Sequence, residues 1–125
     1  MSYLSGHGAI VSPATLWLEA FGLTLAVEET VAFPLLRSVE PSRARRVMAV
    51  LIANLTTHPL VWFFFTRLGL SWAAGAVAAE AWAFGFETVV YRTIFHHASW
   101  SRCTLVSFAA NTASMLVGLF AITLR

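Results

Sequence analysis

Four apolar runs, each long enough to cross a lipid bilayer, constrain this chain more than any other feature. A helix needs about 20 mostly apolar residues to span the hydrocarbon core. The runs cover approximately residues 14–36, 47–65, 70–95 and 103–124. The connections between them are too short to separate domains. The sequence therefore predicts an all-α integral membrane protein, with four transmembrane helices in one domain that covers residues 1–125.

The composition agrees with this prediction. Hydrophobic residues make up 58% of the chain and charged residues only 11%, whereas about 25% of the residues of a soluble protein are charged. The net charge is +2, and its arginines cluster in short loops. This distribution favours contact with anionic lipid and argues against nucleic acid as a partner. The single Cys103 excludes an intramolecular disulfide.

The arginines also predict an orientation. Six of the eight flank the first and third connections, and the other two, Arg67 and Arg125, lie elsewhere. The six are Arg37, Arg43, Arg45, Arg46, Arg92 and Arg102. The positive-inside rule places those two connections in the cytoplasm, so both termini are expected on the outer side of the inner membrane.

Rare polar residues recur within the apolar runs at a fixed spacing. A shift of 57 or 58 residues superimposes three pairs of segments: Ala53-Asn54 on Ala110-Asn111, Thr57 on Ser114, and Glu29-Thr30-Val31 on Glu87-Thr88-Val89. Each copy contains two spans. The sequence therefore predicts two tandem helical hairpins, about 14–66 and 70–124, that form a parallel repeat about an axis along the membrane normal.

The repeated polar residues define the candidate site. Counted from the flanking arginines at about 1.5 Å per residue, four of them lie at similar depths, which predicts a ring of two carboxyls and two carboxamides. They are Glu29, Asn54, Glu87 and Asn111. Glu28 points about 100° away from Glu29, and the repeat favours Glu29 as the central residue. Further groups expected in the same polar column are Thr57, His58, Glu80 and Tyr91.

His58 leaves the cofactor open. A hydrogen-bonded structural role is the first interpretation, and ligation of a haem or a metal is the alternative. Pro59 frees the carbonyl of Leu55, and a broken turn of this kind often lines a cavity. A zinc site needs three or four ligands; His58, Glu80 and Glu87 offer three, but their spacing is not diagnostic.

The cost of intramembrane glutamates favours a functional role. An ionised acid at the centre of a span costs about 2.5–3.5 kcal/mol, whereas a polar bond between helices contributes only about 0.6 kcal/mol. The leading hypothesis is movement of an ion, a proton or a small polar solute. Four spans enclose little volume, so we expect a homo-oligomer or a subunit of a membrane complex.

Two alternatives to transport follow from the same residues. The first is an accessory subunit of a larger complex that holds a pigment or haem on His58. The second is a small intramembrane enzyme that acts on a lipid or isoprenoid. Since the sequence has no phosphate-binding loop, nucleophile elbow or HExxH motif, an enzyme is the less favoured interpretation.

Overall fold

The computed structural model describes residues 3–4 and 10–124, which form an all-helical bundle apart from one short ladder. The four helices are α1 (Pro13–Leu35), α2 (Arg43–Phe63), α3 (Trp72–Ile94) and α4 (Trp100–Thr123). Single 3₁₀ turns follow α1 and α2, at Leu36–Ser38 and Phe65–Arg67. Ahead of α1, the two-residue strands Tyr3–Leu4 and Ile10–Val11 pair antiparallel. Arg125, one of the arginines used to predict the orientation, lies outside the described residues.

Every helix begins after a serine whose hydroxyl accepts a hydrogen bond from the backbone N–H three residues later. These serines are Ser12, Ser42, Ser71 and Ser99, with Oγ–N distances of 3.1, 3.4, 3.3 and 3.2 Å. Each bond satisfies an N–H that has no partner within its helix. With Ser42 as its cap, α2 begins at Arg43. The basic segment before the apolar run therefore forms the first turn of α2.

The helices form a closed ring. Helix α1 packs against α2 and α4, and α3 packs against the same two helices. Consequently α1 and α3 face each other across the bundle. By length and composition, α2 with the turn that follows it, and α4, are apolar enough to cross a membrane. Helices α1 and α3 are 23 residues each, and they carry the buried glutamates Glu28 and Glu87.

Small and polar side chains fill much of the interior. The fully buried positions on α2 and α4 include Ala49, Ala53, Asn54, Ala110 and Ser107. Many of the largest apolar side chains point outward. Exposed examples from three different helices are Leu18, Val77, Trp72, Phe120 and Ile122. A soluble domain has the opposite distribution, with large apolar residues inside and polar residues outside.

Side chains from α2 and α4 satisfy the last carbonyls of α1. Arg46 donates to the carbonyl of Phe33 at 2.9 Å, and Arg102 donates to that of Leu35 at 2.6 Å. Carbonyls in the last turn of a helix have no partner within it, and α1 ends one residue after Pro34. We call this side of the bundle, where α1 and α3 end and α2 and α4 begin, the arginine-rich end.

Candidate functional site

Glu28 lies in the interior of the bundle, where it is 1% exposed. The amide of Asn54 donates to Glu28 Oε2 at 2.7 Å, and the hydroxyl of Ser114 lies 2.9 Å from Glu28 Oε1. Both carboxyl oxygens therefore have a partner. One partner comes from α2 and the other from α4, the two helices that flank α1.

Glu87 has the same surroundings on the opposite helix. It is also 1% exposed. The amide of Asn111 donates to Glu87 Oε2 at 2.6 Å, and the hydroxyl of Thr57 lies 2.9 Å from Glu87 Oε1. The two carboxyls lie close enough for the charge of one to affect the other.

The partners follow a crossed pattern. Each glutamate takes its amide from the next helix of its own hairpin and its hydroxyl from the other hairpin. The network thus joins all four helices, and each carboxyl links the two halves of the chain. We call the six residues the carboxyl network; they are Glu28, Asn54, Thr57, Glu87, Asn111 and Ser114.

The two halves of the network occupy equal positions in their helices. Glu28 and Glu87 each lie seven residues before the last residue of α1 or α3. Asn54 and Asn111 each lie eleven residues after the first residue of α2 or α4. The separation of glutamate and asparagine is 26 residues in the first half and 24 in the second, because the connection from α1 to α2 is two residues longer than that from α3 to α4.

This geometry corrects the expectation that Glu29 is central. Glu29 is only partly buried and makes no hydrogen bond to the carboxyl network. Successive helical residues point about 100° apart, so the side chain of Glu28 faces inward and that of Glu29 does not. The alignment of Glu-Thr-Val segments was off by one residue. A usable signal was present in the helix caps, since Ser12 and Ser71 are 59 residues apart, as are Glu28 and Glu87.

Both hydroxyls of the network have a second acceptor. Thr57 Oγ1 lies 3.0 Å from the carbonyl of Ala53, and Ser114 Oγ lies 3.1 Å from the carbonyl of Asn111. A hydroxyl has one hydrogen and two lone pairs. It can therefore donate fully to the carbonyl or to the carboxyl, but not to both.

No positive side chain among the described residues pairs with Glu28 or Glu87. The ion pair that the described residues form lies elsewhere: it joins Arg45, in the first turn of α2, to Glu40 in the preceding connection, at 2.9 Å. The two interior carboxyls are surrounded by amides and hydroxyls instead. Burial of an unpaired charge is costly, so the site is stable only if a proton or a cation neutralises it.

Glu80 and Tyr91 extend the site along α3 in opposite directions. Glu80 is partly buried and lies close enough to Glu28 and Glu87 to interact electrostatically. Tyr91 is 0% exposed, and its hydroxyl has no hydrogen-bond partner among the described residues. Both were expected in the polar column, and both lie on the face of α3 that contains Glu87.

His58 lies in a separate aromatic cluster between α1 and α2. Its ring centroid is 5.3 Å from that of Phe21, 6.2 Å from Trp17 and 6.3 Å from Trp62. Its Nδ1 is buried and has no hydrogen-bond partner among the described residues. In the same part of the chain, no three His, Cys, Asp or Glu side chains are grouped so as to hold a metal ion. The set of His58, Glu80 and Glu87 is therefore not assembled.

No family model, curated protein or solved structure matches this chain. Its function must be inferred from the chemistry of the site. The carboxyl network offers two buried groups that can gain or lose a proton, each held by one amide and one hydroxyl.

Proposed function

We propose that this chain is a four-span inner-membrane protein in which Glu28 and Glu87 bind and exchange protons. The exchange would be coupled to movement of an ion or small polar solute, in a homo-oligomer or a larger membrane complex. The observation that carries the proposal is the crossed arrangement of two buried carboxyls, without a positive partner among the described residues.

The distribution of apolar residues supports the membrane part of the proposal. Only 33% of the apolar stretch of α2 and 22% of that of α4 is buried within the bundle, so most of each helix needs another apolar environment. In membrane bundles small residues pack between helices and large apolar residues face lipid. The arginine-rich end would face the cytoplasm, with the connection between α2 and α3 on the outer side.

The donors around the carboxyls favour a proton over a metal cation. A hard cation such as Mg²⁺ or Ca²⁺ needs several oxygen ligands that point towards it. Here one oxygen of each carboxyl faces an N–H of an asparagine amide, at 2.7 Å in Glu28 and 2.6 Å in Glu87. An amide N–H turned towards the site repels a cation but stabilises a carboxyl.

Hydrogen-bond counting points the same way. When Glu87 carries a proton, its hydroxyl can donate to Thr57 Oγ1 while Thr57 donates to the carbonyl of Ala53. The same chain runs from Glu28 through Ser114 to the carbonyl of Asn111, and the distances fit both. When the carboxyl is ionised, the hydroxyl must turn away from the carbonyl. The network therefore has two hydrogen-bonded states that differ by one proton per carboxyl.

A vesicle assay tests the proposal. The purified protein is reconstituted with a pH-sensitive dye trapped inside, and a potassium diffusion potential is imposed across the bilayer. We expect the wild type to acidify or alkalise the lumen faster than empty vesicles. Glu28→Gln and Glu87→Gln keep the shape of the side chain but remove its titration, so each should slow the change about tenfold or more.

Glu29→Gln is the matched control, because it makes the same chemical change on the neighbouring residue outside the network. It should retain the wild-type rate. Retention of the full rate by Glu28→Gln in correctly folded protein would contradict the proposal. Loss of the rate in Glu29→Gln alone would restore the alignment that the sequence favoured.

A second candidate function has one observation in its favour. The Nδ1 atom of His58 is buried among aromatic rings and has no hydrogen-bond partner among the described residues. An imidazole nitrogen is a common axial ligand of haem. An accessory subunit that holds a pigment or haem would use this atom. A purified protein with a visible absorption band that His58→Ala abolishes would favour this candidate over proton exchange.

A further inference from the structure

We propose that Glu80 and Tyr91 are the two ends of a proton path along α3 that connects the carboxyl network to the two ends of the bundle. The proposal deepens the proposed function and rests on it in one respect, since it takes Glu28 and Glu87 to be groups that exchange protons. It adds an entrance at each end, and it places both entrances on the same helix.

The positions on α3 place these residues in a line. Glu80, Glu87 and Tyr91 are separated by seven and then four residues, which puts all three on one face of the helix. Tyr91 lies three residues before the end of α3, at the arginine-rich end. Glu80 lies in the opposite half of the helix, towards the connection with α2. The carboxyl network is between them.

The Tyr91 hydroxyl needs a partner that the described side chains do not provide. It is fully buried and has no hydrogen-bond partner among the described residues, a situation that costs about 1–3 kcal/mol. It lies close enough to Glu28 and Glu87 to interact with their charges. Buried polar groups in such sites are usually bridged by an internal water, and a water here would join the Tyr91 hydroxyl to a carboxyl.

Glu80 provides the opposite end of the path. Its carboxyl makes no hydrogen bond to another described side chain, and its side chain is only partly buried. Ala83, a small buried residue, lies between Glu80 and Glu87 on the same face. The adjacent Ala79 lines a groove of about 490 Å³ between α2 and α3, together with Trp62 and Trp72. The groove therefore reaches the residue next to Glu80, in the half of α3 opposite the arginine-rich end.

The first hairpin does not have these groups. The residues of α1 at the positions that match Glu80 and Tyr91, counted from the helix ends as for the two glutamates, are Phe21 and Ala32. Phe21 packs edge-on against His58 at 5.3 Å, and Ala32 is fully buried. The matching positions of α1 therefore carry no group that can exchange protons with Glu28. Protons therefore reach Glu28 from the neighbouring carboxyl of Glu87.

The transfer steps conserve charge on the phenol. A proton on Glu80 passes through water to the carboxylate of Glu87. When Glu87 gives its proton to a bridging water, that water gives a proton to Tyr91 Oη, and the phenol gives its own hydroxyl proton to the next water. That water passes the extra proton to the solvent at the arginine-rich end. The bridging water and the phenol each gain one proton as they lose one, while Glu87 is left as a carboxylate until a proton from Glu80 reloads it.

A pH jump on the full-length protein in detergent tests the path without relying on transport. The infrared band of neutral carboxyls reports the loading of the network. In detergent the two ends of the bundle face the same buffer, so Glu80→Gln or Tyr91→Phe alone should retain about half of the relaxation rate, while the double variant should relax about tenfold more slowly. Tyr91→Phe keeps the ring, and Thr93→Val, which removes an exposed hydroxyl from the same helix, is the control.

The outcomes separate this proposal from the proposed function. A double variant that relaxes at the wild-type rate overturns the path, even if Glu28→Gln abolishes proton flux in vesicles. A single variant that is as slow as the double variant overturns the two-ended form, because one entrance then carries all exchange. Failure of the wild type to change the pH inside vesicles contradicts the proposed function and leaves the pH-jump result as an independent test.

Discussion

Glu28 and Glu87 accept hydrogen bonds from the same two kinds of donor at the same position in their helices. Each lies seven residues before its helix ends, and each receives one asparagine amide and one hydroxyl. The hydroxyl always comes from the opposite hairpin. Because equal positions have equal partners, matched substitutions in the two halves should have matched effects.

The first prediction concerns the two amides. Asn54→Leu and Asn111→Leu preserve most of the side-chain volume but remove the donor, which leaves one buried carboxyl oxygen unpaired. Each should lower the free energy of unfolding by about 1–3 kcal/mol, with similar values for the two, as measured by chemical unfolding in micelles. Thr56→Val is the control, because its hydroxyl donates only to carbonyls of its own helix. Loss of stability in only one asparagine variant would contradict the equivalence.

The second prediction concerns the protonation of the interior carboxyls. They have no positive partner among the described residues, so we expect a neutral-carboxyl infrared band at neutral pH. Glu28→Gln and Glu87→Gln should each remove part of that band, while Glu29→Gln should leave the network's contribution in place. A band that is absent from the wild type would show that something other than a proton neutralises the site.

The third prediction concerns the arginines that bind the end of α1. Arg46 is 4% exposed and donates to a carbonyl of α1, as does Arg102. Arg46→Met and Arg102→Met should each cost about 1–3 kcal/mol of unfolding free energy, because a backbone carbonyl loses a charged donor. Arg45→Met should cost less than about 1 kcal/mol, because the side chain of Arg45 in its ion pair with Glu40 is exposed to solvent. Equal effects of all three would contradict this reasoning.

The fourth prediction concerns topology. In a Cys103→Ser background, a cysteine at Ser38 or Ser101 should react with a membrane-impermeant maleimide only after the cytoplasmic side is opened. A cysteine at Thr66 should react in intact cells. All three residues are exposed, and none caps a helix, unlike Ser42 and Ser99. Labelling of Ser38→Cys from outside intact cells would reverse the orientation.

The fifth prediction concerns the turn before α3. Gly69 has a φ of 67°, in the left-handed region that costs other residues about 1–2 kcal/mol. Gly69→Ala should lower the unfolding free energy by roughly 1 kcal/mol. Gly22→Ala, inside α1 where nothing lies within 4 Å of an added Cβ, should be neutral or stabilising. A neutral Gly69→Ala would show that the turn relaxes without cost.

The all-helical fold could be predicted from the sequence because its signals are local. Each of the four long apolar runs depends on neighbouring residues, and the structure confirms the four helices. That these helices lie in a membrane and form a duplicated hairpin remain predictions. The equal positions of Glu28 and Glu87 support the duplication.

The inward-facing residue of the Glu28-Glu29 pair could not be chosen from the sequence. In a soluble helix, alternation of polar and apolar residues marks the buried face, but in α1 apolar residues lie on both faces and give no such signal. The connection from α1 to α2 is two residues longer than that from α3 to α4, so the matching glutamates are 59 residues apart and the matching asparagines 57. No single shift of the sequence aligns both pairs. Three features arise from three-dimensional packing: the partial burial of Glu29, the crossed role of Ser114, and the lack of a partner for the Tyr91 hydroxyl among the described residues.

The crossed hydroxyls have a consequence for how such a bundle can originate and be divided. A chain that ended after α2 would contain a glutamate with an amide but no hydroxyl partner, and a threonine with no carboxyl to meet. Two copies of that half chain, placed side by side about a two-fold axis, would supply both missing partners. A half-length ancestor could therefore have worked only as a homodimer, and co-expressed halves of the present chain should find each other through the same two exchanges.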